Sequence, residues 1–97
     1  MMIGLGLAVT VVGCGDDRAT AIADLTGDAE AGGVLYAQNC ATCHADDGSG
    51  GSGPALGGED DAVEMADVIL SGSEEMPAFD TLSDQEIADI IAWVQAL

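Results

Sequence analysis

Tyr36, Phe79 and Trp93 are the only aromatic side chains in this sequence, and three rings are too few to fill the interior of a 97-residue domain. A chain of this length also buries a smaller fraction of its surface than a longer one. Its fold therefore calls for a staple, meaning a disulfide, a metal or a cofactor that becomes part of the core. The same length limits it to one small domain.

The side chains available for such a staple are few. Arg18 is the only Arg or Lys, His44 is the only histidine, and the cysteines are Cys14, Cys40 and Cys43. A lysine nucleophile and a multi-histidine metal centre are thereby excluded within the chain. Eighteen acidic residues give a formal charge of −17, and such a chain repels a phosphate backbone, so nucleic acid is excluded as a partner.

Cys40-Ala41-Thr42-Cys43-His44 has the spacing C-x-x-C-H, the attachment pattern of c-type haem. Two thiols one helical turn apart can add to the two vinyl groups on one edge of a porphyrin, and the adjacent imidazole then points at the iron. A thiol redox pair would be expected beside a βαβ pattern, which this sequence lacks. A zinc site would need a carboxylate as fourth ligand beside Cys40, Cys43 and His44. A local disulfide with His44 on the surface is the remaining alternative.

The second axial position on such an iron follows by elimination. With no second His and no Lys, either methionine fills it or the iron is open. Met1 and Met2 lie at the apolar amino end and Met65 sits in the stripe of a helix, where packing is its expected task. Met76 precedes Pro77, which restricts it to extended geometry in a loop thirty-two residues after His44. Met76 is therefore the expected ligand.

The pattern of the rest is helical. Residues from Asp28 to Cys40 predict a first helix, with Gly32 and Gly33 marking a close approach by another backbone or ring. Residues 45–58 are rich in glycine and contain Pro54, which predicts an open loop. Val63, Ala66, Ile69 and Leu70 form the stripe of a second helix that ends at Gly72. Ser83 and Glu86 fit a capping box ahead of Ile87, Ile90, Ile91 and Val94, the stripe of a last helix. Three helices with no strand signal predict an all-α domain over residues 28–97.

The amino end reads differently. The apolar run Ile3–Val12 would reach only about 15 Å as a helix, half of the ~30 Å hydrocarbon layer, so it suits a signal peptide and not a membrane span. Val11-Val12-Gly13-Cys14 resembles the lipobox of bacterial lipoproteins, although no basic residue precedes it. That resemblance implies a signal peptide over residues 1–13 and a lipid on Cys14. Residues 14–27 show no sustained period and are expected to be a flexible tether.

Over residues 28–97 the chain resembles the small bacterial class I cytochromes c. Gly32 and Tyr36 ahead of Cys40 match the family's first helix, and Trp93 falls where the family has an aromatic in its last. Gly53-Pro54-Ala55-Leu56 resembles the family's G-P-x-L loop, and Met76-Pro77 with Phe79 resembles its distal loop. The resemblance implies about three main helices around one haem c, attached at Cys40 and Cys43, with His44 and Met76 on the iron. The carbonyl of Pro54 would then orient the imidazole of His44.

The function so implied is one-electron transfer with no substrate turnover and no small-molecule substrate. Alternatives are a haem subunit docked on a membrane oxidase or dehydrogenase, and a peroxidase-like or ligand-binding protein with an open iron. Redox partners with basic docking patches are expected from the charge. Location outside the cytoplasm, periplasmic or at the cell surface, is implied by the family, and attachment to a membrane by the lipid. Without haem the chain is expected to be largely unfolded.

Overall fold

The computed structural model describes residues 15–73 and 75–97. Its three longest helices begin where short polar side chains take up the first free backbone N–H groups, which have no partner inside the helix. Asp28 accepts from the N–H of Glu30 at 3.0 Å and of Ala31 at 3.3 Å, and α2 runs Ala29–Asn39. Asp61 accepts from the N–H of Glu64 and opens α4, Ala62–Ser71. The capping box at the start of α5, Asp84–Gln95, is complete. Ser83 Oγ accepts from the Glu86 N–H, and Glu86 Oε1 accepts from the Ser83 N–H.

These three helices match the three expected from the sequence, and no strand occurs among the described residues. A four-residue helix, α3 (Ala41–His44), follows α2 directly and contains the second cysteine and the histidine of the C-x-x-C-H segment. Helix α2 crosses α5 at Gly32, where a Cβ would collide with the carbonyl of Asp89. One turn along, Tyr36 stacks on Trp93 with centroids 4.1 Å apart, and the Tyr36 hydroxyl donates to the Ala45 carbonyl at 2.6 Å. Both glycine and aromatic thus sit at the crossing.

Buried Asp89 is the polar exception on the inner face of α5. Its Oδ1 accepts from the Asp28 N–H at 2.8 Å and from the Gln85 amide at 2.9 Å. A buried carboxylate is tolerated when its oxygens are so engaged. It ties the start of α2 to α5.

The expectation of a flexible tether over residues 14–27 is corrected. Residues Gly15–Ala23 form a helix, α1, that packs on α4 and α5. Ala19 and Ile22, three residues apart and so on one face, are buried. Two small apolar positions are too faint a stripe to read in sequence, yet they suffice where α4 and α5 already form a surface. The proposed signal peptide, residues 1–13, and Cys14 lie outside the described residues. Among the described residues no helix is long and apolar enough to cross a membrane.

Candidate haem site

Helices α2 to α5 line an open-sided cavity of about 640 Å³, within the ~300–1,000 Å³ range of cofactor pockets. Cys40, Cys43 and His44 line it from the α2–α3 junction, and Met76 and Phe79 from the loop after α4. Ile90, Ile91 and Val94 of α5 complete an apolar wall. Tyr36 and Ile69, also of the buried core, line it as well.

His44 is buried, and its Nδ1 lies 2.8 Å from the Pro54 carbonyl. A carbonyl only accepts, so Nδ1 carries the proton and donates, and Nε2 is left with its lone pair. The loop that delivers Pro54 folds back on α3 through two backbone bonds. Gly53 N–H donates to the Cys43 carbonyl at 2.7 Å, and Gly50 N–H to the His44 carbonyl at 2.9 Å. Gly53 must lack a side chain, because a Cβ there would come within 2.8 Å of the His44 ring. Position 50 has φ of +106°, a conformation open to glycine.

Cys40 and Cys43 are free thiols, one turn apart. Burial, and to a lesser extent the neighbouring Cys43, pushes the Cys40 thiol up to about 11. It therefore remains protonated at neutral pH. Among the described residues no group of three His, Cys, Asp or Glu side chains is placed to hold a metal ion. The chemistry of this donor set is thus two thiols and one lone-pair nitrogen on the edge of an apolar cavity that also holds a thioether. These are the groups a covalently attached iron porphyrin needs.

Met76 reaches the cavity because its loop is drawn in at both ends. Ser73 N–H donates to the Met76 carbonyl at 2.8 Å and Phe79 N–H to the Ile69 carbonyl at 2.7 Å. Gly72, with φ of +72°, closes α4 so tightly that a Cβ would meet Ala78 N at 2.8 Å. Met65, assigned to packing in the sequence, also lines the cavity, as do Glu59, Glu64 and Glu75. No local pattern in the sequence marks those carboxylates as cavity residues.

Residues 27–94 match the family described as "Cytochrome C oxidase, cbb3-type, subunit III". The chain belongs to this family of c-type cytochromes. The cytochrome is 35% identical to cytochrome c-551 of Bacillus subtilis (strain 168), over 97% of its own length and 90% of that protein. It is 33% identical to the cytochrome c subunit of a quinone alcohol dehydrogenase from Gluconobacter oxydans (strain 621H), of which it spans 22%. Its fold matches the crystal structure of cytochrome cL from Hyphomicrobium denitrificans with a TM-score of 0.64 at 23% identity, covering 81% of this chain and 51% of that one. The all-α cytochrome c fold and the covalently bound haem c with its iron, both expected from the sequence, hold for this cytochrome. Its role is haem-based electron transfer.

Proposed function

We propose that this cytochrome is a one-electron carrier whose haem c is bonded to Cys40 and Cys43 and held axially by His44 and Met76. One observation carries the reading: the lone-pair nitrogen of His44 and the thioether of Met76 belong to side chains lining a single apolar cavity, with both thiols at its edge. The haem, when bound, supplies an iron that alternates between Fe(II) and Fe(III). The chain's residues do the rest. Pro54 holds the His44 imidazole in one tautomer and one orientation. The thioether of Met76 favours the ferrous state and raises the potential relative to a nitrogen donor. Ile90, Ile91 and Val94 would offer the haem an apolar wall.

A free carrier is supported by the match to nearly the whole length of cytochrome c-551. The dehydrogenase subunit is several times longer than this chain, which spans only 22% of it. The net charge of −17 favours partners with basic patches, and association with them weakens with salt. Residues 1–13 act as a signal peptide, and a lipid on Cys14 holds the domain on a membrane outside the cytoplasm. The lipobox-like Val11–Cys14 segment supports that reading.

The test is an optical spectrum of protein expressed with haem-attachment machinery. Haem that survives acid–acetone extraction, together with the weak long-wavelength band of a thioether on ferric iron, is the expected result. That band disappears in Met76→Ala. Extractable haem overturns the attachment, and a band that persists in the variant overturns the ligand.

A further inference from the structure

Arg18 is the only Arg or Lys of the chain, and its guanidinium is spent on one short stretch, residues 80–84. Nη1 donates to the Asp80 carbonyl at 3.0 Å, Nη2 to the Leu82 carbonyl at 2.8 Å, and Nε to Asp84 Oδ1 at 2.7 Å. Those acceptors lie where the Met76 loop returns to α5. Arg18 itself stands on α1, which is fixed to α4 and α5 by buried Ala19 and Ile22. It lies outside residues 27–94, the part that matches the family.

The start of the Met76 loop is held from α4 by its own backbone bonds. Beyond Phe79, the bond from Leu82 N–H to the Phe79 carbonyl at 3.1 Å is internal to the loop. The carbonyls of Asp80 and Leu82 point outward to Arg18. A surface ion pair alone contributes little. Charged hydrogen bonds to two carbonyls in addition make a planar, three-point grip, which is what a guanidinium does and an ammonium does not.

We infer that Arg18 is a positioning residue for the distal ligand: through its grip on Asp80, Leu82 and Asp84, α1 holds the Met76 loop closed over the cavity. The inference rests on the reading of Met76 as the iron ligand. Loss of the grip leaves the haem attached and the helices packed, and raises the fraction of time in which the thioether is away from the iron.

The experiment uses the full, haem-loaded protein and follows displacement of Met76 from ferric haem by added imidazole, read at the thioether band. Arg18→Gln should bind imidazole roughly ten-fold more tightly, equivalent to about 1.4 kcal/mol in the opening of the loop. Arg18→Lys, which retains charge without the fork, should fall between the two. Asp28→Ala, which removes the side-chain cap of α2 and no bond to residues 80–84, should lower the melting temperature and leave imidazole affinity unchanged. Equal imidazole affinity in wild type and Arg18→Gln overturns the inference, as does an equal shift in Asp28→Ala. A wild-type protein without the thioether band instead overturns the Met76 reading itself.

Discussion

The ring of Trp93 lies on that of Tyr36 with centroids 4.1 Å apart and planes inclined by 30°. One ring belongs to α5 and the other to α2, one turn from the cysteines, so the pair transmits the helix crossing to the haem site. Stacked aromatic pairs contribute about 0.5–1.5 kcal/mol beyond the area they bury. Trp93→Ala should lower stability by roughly 2–3 kcal/mol, less than a fully buried ring would, because Trp93 is only half-buried. Urea unfolding of the haem-loaded protein followed by circular dichroism measures it.

Gly32→Ala should be more damaging than its single methyl suggests. The added Cβ meets the backbone of Asp89, which no rotamer change can relieve. Overpacking a core costs about 1–3 kcal/mol, and the upper end applies where both sides are helix backbone. The same urea titration gives the value, and a loss below 0.5 kcal/mol, roughly the range of ordinary surface substitutions, would show that the crossing can open.

Tyr36 ties stability to alkaline pH. Burial, then the nearby Cys40, Asp47 and Asp46, raise its pKa above the ordinary 10.0. The burial contribution persists when Cys40 is a thioether. A folded pKa above the unfolded one means that the unfolded chain loses its proton first as pH rises. The contribution is therefore complete below pH 10 and is lost as pH climbs through the raised value. Thermal melts across that window should fall more steeply for wild type than for Tyr36→Phe. At neutral pH the Phe variant should be about 1 kcal/mol less stable, because the Ala45 carbonyl loses its donor.

Gly53→Ala places a methyl against the His44 ring and the Cys43 carbonyl. The imidazole must tilt or the Pro54 carbonyl must withdraw. The expected readouts are a higher reduction potential, because an imidazole that loses its acceptor is a weaker donor to ferric iron, and a shifted ferric spectrum, with haem still covalently attached, because the thiols are untouched. An unchanged potential would show that the bond from His44 to Pro54 does not depend on this close contact.

The haem-free chain should be largely unfolded. Its cavity of about 640 Å³ sits inside a domain with three aromatic rings, and an apolar space of that size deprives its lining of packing partners. Far-ultraviolet circular dichroism of a Cys40→Ala, Cys43→Ala chain, which cannot attach haem, should show little of the helix content of the holoprotein.

Local signals were readable in the amino acids. Ser83 and Glu86 form the capping box that their spacing promised, Gly32 and Trp93 mark the crossing, and the C-x-x-C-H run keeps cysteines and histidine within five positions. What escaped depends on distant partners. Helix α1 shows only Ala19 and Ile22 as an apolar face, and Arg18 finds its acceptors more than sixty residues away. Asp89 resembles any solvent-facing acid among isoleucines until the N–H of Asp28 is brought to it. Val63, placed on the stripe of α4 by spacing, is 41% exposed in the first turn of α4, whose buried residues are Ala66, Ile69 and Leu70.

The bonds around His44 close within residues 43–54, whereas the Met76 loop is tied to α4 within residues 69–79 and, at its far end, to Arg18 of α1 more than sixty residues away. The entropic cost of closing a loop rises with the sequence separation that it spans. The histidine side is therefore held by short-range bonds alone, whereas the far end of the methionine side depends on a contact across most of the chain and is expected to be the first part to open.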